Sequence, residues 1–524
     1  MNRLPILLAM ILATQNVAAQ YTRQYDTERE KLCLGKNIHY KIEAQASVSD
    51  GHTPLWLNAN KHGLSSIDAV NGYWRCQVVR PLSADSARRW GCGYGVDMAL
   101  ALNHAADVMA QQVFVEGRWL HGTLTVGAKE YAMELKNNRL STGSQTLGVN
   151  ARPVPQVRLA LPEYWTIPAL GRWLHLKGHI AYGKMTDDGW QRRFTGGKSK
   201  YMADALYHSK AGYLKIGSEE DRFLPLSVEV GLEMATLFGG KSCRMDENGH
   251  LVTIRNATGL KSFLKAFVPG GEDVPEKGTV YENAEGDVLG SWVARVNYDT
   301  DSWRLGVYAD KFFEDHSSML LLDYDGYGVG EEWNVRKRNH FFMYDLKDVM
   351  VGAELNFKFG GWLRDIVLEY IYTKYQSGPI YHDHSMGLPD HLGGRDNFYN
   401  HYIFTGWQHW GQAMGNPLYT SPIYNDDGRI EFKNNRFVAW HLAFDGQPTK
   451  RIGYRAMITW QTGWGTYDKP YTDKRRNTSL MMETTYCFPR HWQMKAACGL
   501  DFGTLIGNNF GFQFTVTKSG VFNL

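Results

Sequence analysis

The side chains best suited to metal chemistry are consecutive in one segment of the chain. On a strand, His382 and His384 would share a face, with Asp383 between them, and such a histidine pair suits a transition metal. The flanking Gly378-Pro379 and Gly387 favour a loop instead. No third ligand is fixed by spacing. We therefore interpret these residues as polar loop residues and predict no metal site.

Two glycine-rich segments resemble phosphate-binding loops but lack a required glycine. Residues 195–199 and 239–242 both contain Gly-Lys-Ser, yet Arg192 and Ala235 stand where the motif requires its first glycine. No segment matches the nucleophile elbow of the serine hydrolases or the paired-histidine motif of the zinc proteases. We therefore predict that the protein is not an enzyme, has no catalytic residues and binds no cofactor.

Arginine and aromatic side chains recur in segments rich in turn residues. The planar fork of arginine suits carboxylates and phosphates, and aromatic rings present apolar faces on which sugars can stack. The candidate polysaccharide-binding residues are Arg336, Arg338, Arg395, Tyr399, Tyr402, Trp407, Trp410 and Arg475. Two alternatives stay open: the basic clusters are solvated turns, or the aromatic residues pin their loop into the interior.

The elements that must position these residues are strands. Phe510, Phe512, Phe514 and Val516 alternate with small or polar residues, which is typical of a strand with one apolar face. Similar alternation recurs at 38–47, 174–182, 226–234, 292–298, 303–308, 351–358, 366–373, 438–444 and 452–461. We predict an all-β, transmembrane antiparallel β-barrel of about 18 strands, with lipid outside, a polar lumen and short helical or loop plug elements. Its last strand is predicted to pair with residues 38–48.

Charged residues of both signs lie on the polar faces of these predicted strands. They are Lys41, Glu43, Lys177, Glu229, Glu233, Arg304, Glu369 and Arg455. They could line a pore that selects solutes, or they could form an ion-pair network that fills and rigidifies the barrel. The mixture of signs favours the network.

The first residues resemble a secretory signal peptide. Arg3 is followed by an apolar stretch at 4–12 and by the small residues Val17-Ala18-Ala19. No later run approaches the roughly 20 apolar residues that a membrane helix requires. We predict a signal peptide at 1–19, export to the outer membrane of a Gram-negative cell, and a single barrel domain at 20–524.

Composition is consistent with such a barrel. Aromatic residues make up 13% of the chain, which suits aromatic girdles, and the formal charge of +3 gives no reason to expect nucleic acid as a partner. Among the cysteines, Cys76 with Cys92, or Cys487 with Cys498, could form disulfides across hairpins; alternatively they remain free inside the barrel.

Four long connections interrupt the predicted strands, at 184–207, 239–289, 314–347 and 376–428. Loops of this length in a barrel are expected to fold inward or to cap one mouth, and function is expected there. Within the second, residues 257–267 predict a short helix, because apolar residues recur at helical spacing before Pro269-Gly270-Gly271.

Several segments resemble the capsule assembly Wzi family as it occurs in Bacteroides-like bacteria. They are Thr53-Pro54-Leu55-Trp56-Leu57-Asn58-Ala59-Asn60, Leu224-Pro225-Leu226-Ser227, Gln376-Ser377-Gly378-Pro379, Gly393-Gly394-Arg395-Asp396-Asn397-Phe398-Tyr399-Asn400, Gly406-Trp407 and Met414-Gly415-Asn416-Pro417-Leu418. The similarity extends over essentially the whole chain after the signal peptide. The resemblance implies a monomeric outer-membrane barrel with a helical plug that binds capsular polysaccharide and retains it at the cell surface.

We therefore predict a non-catalytic protein of capsule assembly and attachment. Its expected partners are capsular polysaccharide, outer-membrane lipid and lipopolysaccharide. The alternative function is that of a porin-like diffusion channel in the outer membrane.

Overall fold

The computed structural model describes residues 34–168, 173–218, 224–245, 250–268, 286–314, 347–381 and 392–524, with residues 319, 322–323 and 340–341. Eighteen strands form one antiparallel sheet. They are β1 (Ile38–Asp50), β2 (Val70–Arg80), β3 (Trp90–Leu102), β4 (Val108–Trp119), β5 (Gly122–Ala128), β6 (Gln156–Thr166), β7 (Leu174–Lys184), β8 (Leu206–Ser218), β9 (Leu226–Phe238), β10 (Asp287–Asp299), β11 (Trp303–Glu314), β12 (Val349–Phe357), β13 (Asp365–Tyr372), β14 (Phe437–Gly446), β15 (Ile452–Gly465), β16 (Pro470–Phe488), β17 (Trp492–Gly503) and β18 (Asn509–Phe522).

The sheet closes on itself. Strand β1 pairs with β18 from Ile38 opposite Phe522 to Asp50 opposite Phe510, so every barrel strand has two neighbours. Closure matters because lipid offers no hydrogen bonds to the backbone groups of an open edge. The predicted barrel of about 18 strands and its closing strand pair are both confirmed.

Apolar side chains face outward along the strands. Phe510, Phe512 and Phe514 of β18 are 42%, 58% and 48% exposed, whereas Thr515 and Thr517, on the other face, are buried in the lumen. Near one end of the barrel Trp90 and Trp119 stack on the outside at a ring distance of 5.8 Å. Near the other end, Tyr370 of β13 and Trp440 of β14 are in contact at 4.7 Å. The outer surface therefore has the apolar belt and aromatic borders of a lipid-facing barrel.

The two ends of the barrel differ in their connections. Every connection that follows an odd-numbered strand emerges at one end, and these include 51–69, 129–155, 185–205, 239–286, 315–348 and 373–436. We call this the loop end. The opposite end, the turn end, has the shorter connections, the start of β1 and the end of β18. Outer-membrane barrels have short periplasmic turns and longer extracellular loops. This rule predicts that the loop end faces out of the cell.

The lumen is filled by three segments that enter from the loop end. Residues 51–69 contain helix α1 (Leu55–Asn58), whose Trp56 Nε1 donates to Thr459 Oγ1 of β15 at 3.1 Å. Residues 129–155 and 397–435 pack beside it, and Leu140, Phe398 and Phe432 are completely buried. We call these three segments the plug. Only the third was predicted from the sequence as a long loop, and residues 129–134, predicted to end a weak strand, belong instead to the plug.

Two further helices lie in loop-end connections. Helix α2 (Trp190–Thr195) lies between β7 and β8, and helix α3 (Leu260–Phe267) lies between β9 and β10, within the predicted 257–267. Phe263 of α3 contacts the outward-facing rings of Phe238 at 5.1 Å and Tyr182 at 5.4 Å. The expectation that this loop folds inward or caps a mouth is therefore wrong for α3. Its apolar face packs on the apolar outer wall of the barrel.

Small strands and single-turn helices complete the described structure. The strand sets are Tyr201–Ala203 with Lys241–Met245 and Leu251–Arg255; Leu322–Asp323 with His340–Phe341; Ser377–Tyr381 with Leu392–Arg395; and Gln408–His409 with Gln412–Ala413. The 3₁₀ helices are Leu82–Asp85, Pro422–Tyr424 and Pro489–His491. No helix in the described ranges is long and apolar enough to cross a membrane.

The cysteines that the structure describes are all free. They are Cys76, Cys92, Cys243, Cys487 and Cys498. The two disulfides considered from the sequence are therefore not formed, and the free-thiol alternative holds for these five residues. Cys33 and the predicted signal peptide at 1–19 lie outside the described residues.

Candidate functional site

Charged side chains inside the barrel are largely compensated by neighbours. Lys177 Nζ lies 2.7 Å from Glu134, and Arg455 Nη2 lies 3.2 Å from Glu483. Deeper in the plug, Lys136 Nζ lies 2.7 Å from Asp310, and both side chains are almost completely buried. The structure thus contains the ion-pair network that the mixture of signs favoured. Such a network rigidifies the interior when its polar groups have partners.

Glu369 of β13 joins the wall to the plug. Its carboxylate accepts hydrogen bonds from Ser141 Oγ at 2.5 Å, from the Thr142 backbone N–H at 2.8 Å and from Tyr308 Oη at 2.6 Å. Thr142 Oγ1 also donates to it at 2.6 Å. The carboxylate is completely buried, so these donors replace the water that its charge has lost. They hold residues 141–142 against the wall.

A second buried carboxylate fixes the start of the longest loop-end connection. Asp348 precedes β12 and accepts from the backbone N–H groups of Tyr375, Gln376 and Ser377 at 3.1, 3.0 and 2.7 Å. Ser377 Oγ donates to it at 2.6 Å. The chain leaving β13 is therefore held at the wall before it turns into the lumen.

Two of the candidate binding residues lie deep in the plug. Tyr399 and Trp407 have no exposed surface. The Tyr399 ring stacks on Tyr419 at 3.9 Å, and Trp407 Nε1 donates to the carbonyl oxygen of Thr146 at 2.9 Å. Burial raises the pKa of Tyr399. These contacts match the alternative interpretation, in which the aromatic residues pin their loop into the interior, and leave no face open to a sugar arriving from outside.

Trp410 is also buried, and it lies against a cation. The Arg152 guanidinium stacks over its ring at 4.3 Å. The φ angle of Trp410 is 55°, a left-handed backbone conformation that turns the chain between the paired strands Gln408–His409 and Gln412–Ala413. Trp410 therefore supports an interior site rather than the surface.

The remaining described candidates lie around a cleft at the loop end. The cleft has a volume of about 880 Å³, and it lies between the 397–405 and 427–433 parts of the plug and the β15–β16 hairpin. Tyr402 lines it and is 56% exposed. Arg475 stacks over the cleft-lining Tyr471 at 4.3 Å, and Arg395 lies 3.3 Å from the cleft-lining Asp468. The structure thus brings three of the predicted residues to one opening.

Charged residues in this cleft are paired. Lys469 Nζ lies 2.8 Å from Glu431, and Lys433 Nζ lies 2.9 Å from Asp427. Burial opposes the charge of Asp427, but the hydrogen bond from Lys433 contributes to a pKa below its usual value. The cleft therefore offers polar groups and aromatic rings whose charges are already compensated by neighbours.

A buried lysine supports the turn that presents Tyr402. Lys200 Nζ donates to the carbonyl oxygens of His401, Tyr402 and Phe404 at 2.5, 3.2 and 2.7 Å. Burial lowers the pKa of Lys200 to about 8. Three carbonyl acceptors around one ammonium group fix the backbone of residues 401–404.

The same turn contains a histidine held in its neutral form. His401 Nδ1 accepts from the backbone N–H groups of Ile403 and Phe404 at 3.0 and 3.2 Å. Burial lowers the pKa of His401 to about 3, and the neighbouring Lys200 ammonium lowers it as well. A neutral imidazole can accept these bonds at Nδ1, whereas the protonated ring cannot.

Several residues singled out from the sequence lie outside the described part of the chain. Arg336 and Arg338 do so, and so do His382, Asp383 and His384. Within the described ranges, histidine, cysteine and carboxylate side chains form no group of three suited to holding a metal ion.

Solved structures with the same architecture are outer-membrane proteins. Over 98% of its length this chain matches 88% of Wzi, an outer membrane protein involved in group 1 capsule assembly in Escherichia coli that is a carbohydrate-binding β-barrel. The TM-score is 0.55 and the sequence identity 11%. The fold is that of an outer-membrane β-barrel.

Two proteins of Pseudomonas aeruginosa also match. OprD matches with a TM-score of 0.45 and 9% identity over 96% of this chain and 99% of its own. OccK2 (OpdF), solved in complex with glucuronate, matches with a TM-score of 0.45 and 9% identity over 94% of this chain and 100% of its own. No protein-family model and no curated protein matches the sequence. The likeness to Wzi therefore shows the fold and not membership of its family.

Most of the cleft was not predicted from the sequence. Lys200, His401, Ile430 and Tyr471 line it together with Tyr402, although they come from three separate connections. The signal available in the sequence was the concentration of aromatic and polar residues in 397–402. Nothing in the sequence indicated that the β15–β16 hairpin would form the opposite side.

Proposed function

We propose that this protein binds capsular polysaccharide in the loop-end cleft and retains the polymer at the cell surface, without catalysis. The observation that carries the proposal is the cleft itself, which is large enough for several sugar units and has Tyr402 exposed at its side. An exposed tyrosine ring offers an apolar face for stacking, and its hydroxyl group can bond to sugar hydroxyls. The carbohydrate-binding capsule assembly barrel with the same fold supports this choice.

The proposal includes location in the outer membrane, with the loop end outside the cell. The outward belt of apolar residues would contact lipid, and the long connections would face lipopolysaccharide and the capsule. We expect the barrel to act as a monomer, because closure leaves no strand edge that needs a partner.

A filled lumen supports retention rather than conduction. Tyr399, Trp407, Tyr419 and Phe432 are completely buried in the plug, in the region where a diffusion channel would need water. In planar bilayers the purified barrel should therefore give little steady conductance. Large, steady conductance steps from the wild-type protein would favour the diffusion channel instead.

Binding tests the proposal directly. The mature protein, immobilised in detergent, should retain the capsular polymer of its own host but not an unrelated one. The double variant Tyr402→Ala and Tyr471→Ala should bind at least about tenfold more weakly, because stacking on one ring is typically worth on the order of 1 kcal/mol. Tyr486→Ala is a matched control, since Tyr486 lies near the turn end of β16.

Two results would contradict the proposal. One is equal retention of the host polymer by the wild type and by the double cleft variant. The other comes from cells: a strain that lacks the protein but releases no more capsule than its parent would show that retention does not depend on it.

A further inference from the structure

A second cavity lies within the lumen, beneath the plug. Its volume is about 100 Å³, enough for several water molecules. It lies between the 129–134 and 146–154 parts of the plug and the inner faces of β6 to β9. It shares no lining residue with the loop-end cleft. It is therefore a separate candidate site.

One wall of this cavity contains a buried arginine without an anion. Arg152 is 9% exposed, and its Nη1 atom is buried with no hydrogen-bond partner. Its guanidinium contacts the face of Trp410. Burial lowers the pKa of Arg152 to about 10, and no acidic neighbour offsets this effect. A charge of this kind is costly to bury unless a counter-charge completes its surroundings.

A second arginine approaches the same cavity from the barrel wall. Arg158 of β6 lines the cavity, and its guanidinium lies over the ring of Tyr131 at 3.9 Å. Neither Arg152 nor Arg158 forms a side-chain hydrogen bond or an ion pair with any residue that the structure describes. The cavity thus has two cationic groups in contact only with aromatic rings.

The other charged groups of the cavity are already engaged. Lys129 Nζ contacts Glu116 at 2.5 Å, and Glu134 contacts Lys177. Glu233 accepts from Tyr213 Oη at 2.8 Å and from Ser144 Oγ at 3.1 Å. The two guanidinium groups therefore remain without a counter-anion.

Buried cations elsewhere in this molecule have carboxylate partners. Arg75 Nη2 lies 2.5 Å from Asp97, and Arg80 Nη1 lies 2.8 Å from Asp85. Lys136 lies beside Asp310. Against this background, the lack of a partner at Arg152 marks a place for an anion from outside the chain.

We infer that Arg152 and Arg158 form a binding site for a small hydroxylated carboxylate of the sugar-acid class. The planar forks of arginine match a carboxylate. Tyr131, Tyr207 and Trp407 also line the cavity and present ring surfaces to a compact ligand.

An unused acceptor distinguishes a sugar acid from a simple inorganic anion. Gln156 lines the cavity, and its Oε1 atom is buried without a hydrogen-bond donor. A hydroxyl group next to the bound carboxylate would supply that donor. An anion such as phosphate, largely deprotonated at neutral pH, would bring mainly further acceptors to the same place.

Entry is expected from the turn end. Glu134 is shared with a neighbouring cavity of about 410 Å³, which is also lined by Arg304 and Asp365 near the turn-end limits of their strands. His62 is shared with another cavity, of about 260 Å³, that contains Lys41 and Lys495. With the loop end outside the cell, the site would take its ligand from the periplasmic side.

Calorimetric titration of the detergent-solubilised full barrel tests the site with glucuronate, glucose and inorganic phosphate. Glucuronate should bind, whereas glucose, which lacks the carboxylate, and phosphate, which lacks the hydroxyl-bearing ring, should not bind measurably. Arg152→Met and Arg158→Met should each weaken glucuronate binding at least about tenfold. Arg490→Met, at an exposed turn-end position, is the matched control and should bind like the wild type.

Four outcomes would overturn the inference: no glucuronate binding, equal binding of glucose, equally tight binding of phosphate, or unchanged affinity in both methionine variants. If the methionine variants do not fold, Arg152→Lys and Arg158→Lys keep the charge but lose the planar fork. Glucuronate affinity should then fall several-fold, and unchanged affinity would also overturn the inference. The proposed loop-end function is independent of these results, because the two sites share no residue.

Discussion

The loop-end cleft and the inner cavity lie in the same barrel but treat charge in opposite ways. In the cleft, Lys469 and Lys433 have carboxylate partners at 2.8 and 2.9 Å. In the inner cavity, Arg152 and Arg158 face aromatic rings and no carboxylate. A compensated surface suits hydroxyl groups and ring faces, whereas an uncompensated buried charge suits an anion. One barrel can therefore offer two different chemistries to its two sides.

The separation of the two sites depends on the plug between them, which suggests the most disruptive test. Trp407→Ala should destabilise the barrel by about 3 to 5 kcal/mol, as expected for removing a fully buried aromatic side chain. It should also raise conductance in planar bilayers. Denaturant unfolding and single-channel recording measure the two effects.

Trp460→Ala is the control for this change, because Trp460 points outward and is partly exposed. It should leave the lumen closed. If Trp407→Ala keeps both the stability and the low conductance of the wild type, the plug does not separate the two sites.

A smaller change weakens the attachment of the plug to the wall. Glu369→Gln removes the charge that four donors from Ser141, Thr142 and Tyr308 stabilise, and it should cost roughly 1.5 to 3 kcal/mol. Hydrogen exchange should become faster in residues 139–150 than in the barrel strands. Glu163→Gln, at an exposed position of β6, should leave exchange in the plug unchanged. Equal exchange in the wild type and Glu369→Gln would contradict this role for Glu369.

The cleft alone should respond to mild acid through His401. Burial lowers its folded-state pKa from 6.5 to about 3, so the unfolded turn binds the proton more tightly than the folded turn. The contribution of His401 to the stability of the turn is therefore complete above about pH 6.5 and is lost as the pH falls toward 3. Polymer affinity should decrease over that range, by several-fold at pH 4.5.

His401→Asn retains an acceptor but does not titrate in this range, so the variant should show a flatter pH profile for polymer binding. Glucuronate binding, measured in parallel, is the internal control and should not depend on His401. Identical pH profiles for the wild type and the variant would exclude His401 as the source of the effect.

Ionic strength should give the smallest and most discriminating effect. Binding of a neutral polymer segment in the cleft should change less than twofold between 0.05 and 0.5 M salt. Glucuronate binding in the inner cavity should weaken a few-fold, because salt screens the approach of an anion to the guanidinium groups. Equal salt sensitivity at the two sites would remove the proposed difference between them.

Much of the barrel could be predicted because its signal is local. Alternation along a strand needs only neighbouring residues, and Phe510, Phe512 and Phe514 face outward as their spacing predicts. Helix α3 was predicted for the same reason, from apolar residues at helical spacing. Its position on the outer wall was not, because this depends on Tyr182 and Phe238 from distant strands.

The candidate site shows where local patterns stop being informative. Tyr399 and Tyr402 lie three positions apart in the same segment, yet one is completely buried and the other is largely exposed. Both are tyrosines with similar neighbours, so composition does not distinguish them. The difference arises from Tyr419, which stacks on Tyr399, and from Lys200, which holds the turn that carries Tyr402.

A closed antiparallel barrel with an apolar exterior follows from the sequence alone, because period-two alternation fixes which face of each strand meets lipid. How the lumen is filled and which groups remain unpaired depend instead on the tertiary structure. The contacts responsible, such as Thr142 with Glu369 and Trp56 with Thr459, join residues hundreds of positions apart. Whether Arg152 has a partner depends on every chain segment that reaches the same cavity, and no local pattern contains that information.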